Sequence, residues 1–189
     1  MSRFTLKPVG WRPRLAPVKA EGATPAQLAA LEACPPAQRR STYFLTLAHD
    51  PGSLGERGAL FNIVMYAEGG LPRAERELST AVVSMVNGCV YCTSVHAKRF
   101  VELTDDEPTM QRILDQGWAA ETDPRRKAVA EFTEALTRAP GQVTAGHLAP
   151  LRAAGLDELE ILDLIHSVAM FANANRLMLT LGDPLLPRG

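Results

Sequence analysis

Along most of this chain, apolar side chains recur every three to four residues, and prolines, glycines and short polar residues separate the runs. That is the period of amphipathic helices. Thr24-Pro25 predicts a helix start with proline in the first turn, and Cys34-Pro35-Pro36 predicts its stop. A short helix is expected over Ser41 to His49, ended by Asp50-Pro51-Gly52. The next spans Leu54 to Glu68 and is closed by Gly69-Gly70. Pro72 to Val86 is followed by Asn87-Gly88, then by a helix from Cys89 to Leu103. Shorter helices are read over Glu107 to Gln116 and Thr144 to Ala154. Between them, Asp123-Pro124 opens a helix that runs to Arg138. Asp157 caps the last, which extends to Leu181 with Leu159, Leu162, Ile165, Ala169 and Ala172 at helical spacing. No segment alternates as a half-buried strand does. The predicted class is all-α and single-domain, with residues 1–22 as an extended arm and 23–189 as the helical domain.

Composition narrows the choice of partners. Apolar residues make up 46% of 189, enough for a packed core without disulfide staples. The net charge is −1 and no basic run stands out, so neither nucleic acid nor an anionic membrane is expected as a partner. The longest apolar stretch, Leu162 to Leu181, is broken by Asp163, His166, Asn173, Asn175 and Arg176, unlike a spanning helix. Met1 to Ala20 has no continuous apolar segment or small-residue cleavage site, so a cytoplasmic location is expected. Three cysteines are too few for a secreted disulfide scaffold, and two of them form C-x-x-C.

The segment from Glu75 to His96 carries the chemistry. Asn87-Gly88 predicts a turn that folds its flanking helices into a hairpin. Glu77 lies ten residues before Asn87 and His96 nine after it, so the two come out nearly level. On the second helix Cys89, Cys92 and His96 share about 60° of arc. On the first, Glu77, Ala81 and Ser84 share a face, and the small Ala81 and Ser84 are expected to leave room opposite the thiols. A narrow pocket lined by two sulfurs, an imidazole and a carboxylate follows. Only a thiolate attacks a peroxide, and a free cysteine titrates near pH ~8.5. The helix start favours ionisation. His96 can take a proton from Cys92, and Glu77 can orient the resulting imidazolium. The dipole argument favours Cys89 as the attacking thiol. The position of His96, four residues beyond Cys92, favours Cys92. We take Cys92 as attacking and Cys89 as resolving.

At these residues the chain resembles a known family. E-x11-C-x-x-C-x3-H, here Glu77, Cys89, Cys92 and His96, is the motif of the alkylhydroperoxidase D-like branch of the carboxymuconolactone decarboxylase family. The resemblance is strong over residues 55–105. Leu47-Ala-His-Asp-Pro51, Asn175-Arg176 and Leu181-Gly182 are similar to flanking patterns of its peroxidase-related members. It implies an all-helical bundle with a catalytic hairpin, a homo-oligomer (trimer or hexamer), and reduction of hydrogen peroxide or organic hydroperoxides by the thiol pair. An unidentified thiol or dithiol would then be the reductant. Tyr91 departs from the pattern, since the best-known peroxidase has His between its cysteines.

Competing readings are weaker. Structural zinc wants a fourth ligand, and Cys34, His49, His147 and His166 are scattered singly. A c-type haem needs His directly after the second Cys, where Thr93 stands. No cofactor is therefore expected. Glu75 sits about 200° from Glu77 and is read as facing solvent. Cys34 is read as a structural thiol, His166 as a core or interface histidine, and Asn173, Asn175 and Arg176 as a buried polar network or subunit contact. Two other functions remain: a cofactor-free decarboxylase of the same superfamily, whose members generally lack paired thiols, or a non-enzymatic assembly whose thiols switch an interface.

Overall fold

The structure, a computed structural model, describes residues 4–34, 36 and 38–187. Pro35, in the expected stop of the first helix, lies outside them. The helices are α1 (Pro25–Glu32), α2 (Thr42–Leu47), α3 (Pro51–Tyr66), α4 (Arg73–Asn87), α5 (Val90–Thr104), α6 (Glu107–Gln116), α7 (Pro124–Arg138), α8 (Ala145–Ala153) and α9 (Glu158–Leu181). Their starts follow from side chains that accept orphan backbone N–H groups. Thr24, Asp50, Asp106, Asp123 and Asp157 each accept from the amide three residues on, with proline in the first turn after all but Asp157. Among the described residues no helix is long and apolar enough to cross a membrane.

The core lies on two sides of α4, which is buried from Glu75 to Met85. On one side Val83 packs with Phe61, Met65, Val129, Leu164 and Phe171 from α3, α7 and α9. On the other Leu78, Val82 and Met85 meet Phe100, Met110 and Ile113 from α5 and α6. Where α4 meets α9 the side chains are short. The Ser79 hydroxyl lies 3.2 Å from that of Ser167, and Thr80 donates back to the Arg76 carbonyl at 2.8 Å. Small hydroxyls satisfied in this way let two helices approach closely without orphaned donors.

Arg76 is buried, and it fixes the connection from α3 into α4. Its guanidinium donates to the carbonyls of Val64 and Ala67, both at 3.1 Å, to that of Gly69 at 2.6 Å, and to Asp163 Oδ2 at 3.0 Å. Asp163 also accepts from the Leu71 amide. At the far end of α4, Gly88 takes the left-handed conformation with φ 77°. Cys89 N–H donates to the Ser84 carbonyl and Gly88 N–H to that of Met85, closing the helix in a Schellman motif. The chain reverses here into α5, with Cys89 as its N-cap.

Two findings differ from the sequence expectation. Asp50-Pro51-Gly52 does not end a helix; Asp50 caps α3, which starts at Pro51. A short ribbon is also present. β1 (Gly10–Pro13) pairs antiparallel with β2 (Gly182–Leu185). Arg14 donates to the carbonyls of Leu179 and Thr180 and to Asp183, and Trp11 Nε1 donates to the Met178 carbonyl. The start of the chain is thereby tied to the end of α9.

Candidate functional site

The sulfurs of Cys89 and Cys92 are joined as a disulfide at the start of α5, with Cα atoms 5.4 Å apart. Cys89 precedes the first turn, and Cys92 ends it, one turn before His96. Cys89 is 1% exposed, packed among Cys92, Tyr43, Met178 and Trp11. Cys92 is 6% exposed and lines an open cleft of about 240 Å³ together with His96. A larger hollow of about 510 Å³ between α1 and the arm holds none of the sequence-predicted residues.

Glu77 and His96 meet as the hairpin geometry requires. His96 Nδ1 lies 2.5 Å from Glu77 Oε2. A carboxylate can only accept, so Nδ1 carries the proton and Nε2 is left as the free base when the ring is neutral. The imidazole stands edge-on to Phe171, with centroids 4.5 Å apart. The other oxygen of Glu77 accepts two bonds from Arg73, one residue turn before it, and Arg99 lies 4.0 Å from the same oxygen. Arg73 in turn rests over the Tyr66 ring at 4.1 Å.

These contacts set the charges. Burial pushes the Glu77 carboxyl up, but His96 and Arg73 outweigh it, leaving it below the usual carboxylate range. It is therefore ionised at neutral pH. Burial lowers His96. Glu77 raises it in part, Arg99 and Arg73 lower it again, and the net falls below the ordinary histidine value of 6.5. The site at neutral pH is thus a carboxylate held by cations, with a neutral imidazole in front of it.

The structure corrects three details of the expected pocket. Glu77 and Cys89 do not line the cleft: Glu77 is fully enclosed behind His96, and Cys89 lies beneath Cys92. Ser84 is buried away from the cleft, where Asn175 of α9 donates to its hydroxyl at 3.0 Å while accepting from Asn87 at 3.0 Å. Glu75 does not face solvent. It is buried, and Arg125 bridges it at 2.8 Å to Glu160 at 2.5 Å.

Other singled-out residues are placed plainly. Cys34 is buried, donates to the Ala30 carbonyl at 3.3 Å, and is pushed up by burial, all of which suit an inert structural thiol. His49 bonds the Ala16 carbonyl, His147 completes the cap of α8, and His166 is exposed on the single chain. Asn173 and Arg176 are exposed as well, so only Asn175 joins the expected buried network. Among the described residues no group of three His, Cys, Asp or Glu is placed to hold a metal ion.

Arg73, Arg99, Arg57 and Tyr43 were missed from the sequence. Arg73 had a signal, four residues before Glu77 on one helix face. Arg99 had one too, three residues after His96. Arg57 and Tyr43 come from other helices and had none.

Known proteins share this arrangement of helices. The carboxymuconolactone decarboxylase family profile matches residues 57–135. The chain is similar to the crystal structure of an uncharacterized peroxidase-related protein with an alkylhydroperoxidase AhpD core from Ralstonia eutropha JMP134. That match is 26% identical, with a TM-score of 0.74 over 87% of this chain and 88% of that one. A peroxidase-related protein from Silicibacter sp. TM1040 matches at 22% identity and a TM-score of 0.75, over 92% and 94% of the two chains. The uncharacterized protein YdfG of Bacillus subtilis (strain 168) is 28% identical over 114 residues, 59% of this chain and 76% of YdfG.

Proposed function

We propose that the chain is a member of the carboxymuconolactone decarboxylase family, in its alkylhydroperoxidase D-like branch, and that it is a thiol-dependent peroxidase. Fold and family support a peroxidase-related or decarboxylase-like function. One observation favours the peroxidase: Cys92 shares a cleft with a neutral His96 backed by an ionised Glu77, and the partner sulfur of Cys89 lies within bonding reach.

The cycle starts from both thiols reduced. His96 Nε2 takes the Cys92 proton, and Glu77 stabilises the imidazolium that results. The thiolate takes the terminal oxygen of a hydroperoxide. An S–O bond forms, the O–O bond breaks, and the leaving alkoxide receives the proton from His96. Cys89 then displaces hydroxide from the Cys92 sulfenic acid, and a proton completes water as the disulfide closes. Two external thiols, or one dithiol, return both cysteines to the reduced state and are oxidised to a disulfide. The greater access to Cys92 supports its role as the attacking sulfur, with Cys89 resolving. No cofactor is required in this scheme. A cytoplasmic, reducing setting suits a chain whose third cysteine stays a buried free thiol.

The reading is tested by thiol titration of the reduced protein before and after one equivalent of an organic hydroperoxide. Wild type should lose both site thiols. Cys89→Ser should lose Cys92 alone and fail to recycle, and Cys92→Ser should not react. Reaction in Cys92→Ser with silence in Cys89→Ser would exchange the two roles. No thiol loss in any variant would end the peroxidase reading.

A further inference from the structure

One part of the cleft is not used by proton transfer. Arg57, from α3, places its guanidinium among three rings, 5.8 Å from the centroid of Tyr43, 5.5 Å from Phe44 and 5.9 Å from Phe61. Stacking holds a guanidinium in position but offers no oxygen to its N–H groups. Among the described residues no carboxylate pairs with Arg57 and no oxygen accepts from it. The second feature is independent. Tyr43 is 6% exposed, lines the same cleft, and its hydroxyl has no hydrogen-bond partner. Burial pushes this phenol up, so it is a donor at neutral pH. A buried hydroxyl left without a partner is costly.

Both unmet groups are donors, and no carboxylate lines the cleft among its described residues. What is lacking is an acceptor that carries negative charge. Arg99 also lines the cleft and lies 4.0 Å from a Glu77 oxygen, whereas among the described residues no carboxylate lies that near Arg57. Gln38, Ser41 and Tyr91 add neutral polar groups to the lining, and Phe44, Phe61, Phe171 and Met178 make much of the rest apolar. At about 240 Å³ the space is below the usual range for drug-sized ligands, so the occupant has a small body.

We propose that the cleft binds a small organic carboxylate on an aromatic or compact apolar body, its carboxylate on Arg57 and the Tyr43 hydroxyl, and that the substrate is a hydroperoxide of this class. The substrate half rests on the peroxidase reading above. The Cys92 thiolate takes the terminal peroxide oxygen, sulfur is oxidised by two electrons, and the O–O bond is reduced. The alkoxide takes the proton from His96, and the alcohol leaves with its carboxylate intact.

Binding and turnover separate the two halves. For binding, the disulfide form is titrated calorimetrically with para-isopropylbenzoate and with its neutral isostere para-isopropylbenzamide. The carboxylate should bind roughly tenfold or more tightly, as expected of a hydrogen bond to a charged group. Arg57→Gln should erase the preference, Arg57→Lys should keep most of it, and Tyr43→Phe should reduce it. Equal affinities in wild type, or no binding of the carboxylate, would overturn the proposal. For turnover, the reduced protein is mixed with cumene hydroperoxide or its para-carboxylate in single-turnover stopped flow. Faster oxidation of Cys92 by the carboxylate supports the proposal. Equal rates would overturn it and leave the peroxidase reading standing. If para-isopropylbenzoate binds but neither hydroperoxide oxidises Cys92, the anion site stands and the peroxidase reading falls.

Discussion

At Glu77 a carboxylate with no solvent exposure stays ionised because Arg73 meets one oxygen and His96 the other. This charge controls the imidazole in front of it. Neutral His96 is the form that can accept the Cys92 proton, and its pKa lies below 6.5, so the acid limb of the oxidation rate should lie below that pH. Glu77 raises His96, so Glu77→Gln should move the limb lower still. Arg73 lowers His96, so Arg73→Met should move it higher. The plateau rate of Glu77→Gln should fall by roughly 10²–10⁴-fold, and adding His96→Ala should cost little more, since one residue serves the other. Single-turnover rates between pH 4 and 9 would measure both effects. Limbs that stay fixed in both variants would contradict the assigned roles. The Glu77–His96 encounter was legible in the sequence because it needs only a turn and helix periodicity. Glu75 was misread because an angle around one helix predicts exposure only when one face is buried. Helix α4 is covered by α5, α7 and α9, so a carboxylate on its far side finds Arg125 instead of water.

Between residue and fold, the element that positions both cysteines is the turn from α4 to α5. Gly88 holds a positive φ there, and the amide of Cys89 itself closes the preceding helix. An alanine at this position would carry the left-handed penalty of about 1–2 kcal/mol. Gly88→Ala should therefore lower the Tm by roughly 2–8 °C, read by circular dichroism on the reduced protein. An unchanged Tm would mean that the turn relaxes freely and does not anchor the site. Asn87 and Ser84, both bound to Asn175, fasten the same turn to α9. Element starts at Thr24, Asp123 and Asp157 were legible because capping is local chemistry. Asp50-Pro51 was misread because the same pair serves equally as a break and as a cap followed by its first helical residue. The ribbon was invisible for a different reason. Gly10–Pro13 finds its partner at Gly182–Leu185, at the opposite end of the chain, and neither strand is long enough to show alternation.

For the molecule as a whole, the single chain leaves Leu60 and Ile63 of α3 and Leu159 and Leu162 of α9 exposed by 47–65%. Large apolar side chains on two helices that pack together suit contacts between copies. The proposed homo-oligomer should therefore scatter light as a multiple of 20.5 kDa at micromolar concentration, and Ile63→Glu should shift it toward smaller species. A clean monomer would contradict it. The arm is engaged over residues 10–14 with its own α9 and β2. That fastening has a consequence for how electrons enter. With Trp11, Tyr43 and Met178 packed around Cys89, the disulfide presents one sulfur to the outside. An incoming thiolate must bond to Cys92 and expel Cys89 as the leaving group. Oxidant and reductant then arrive through a single doorway, in turn and never together, so at high concentration each becomes a competitor of the other.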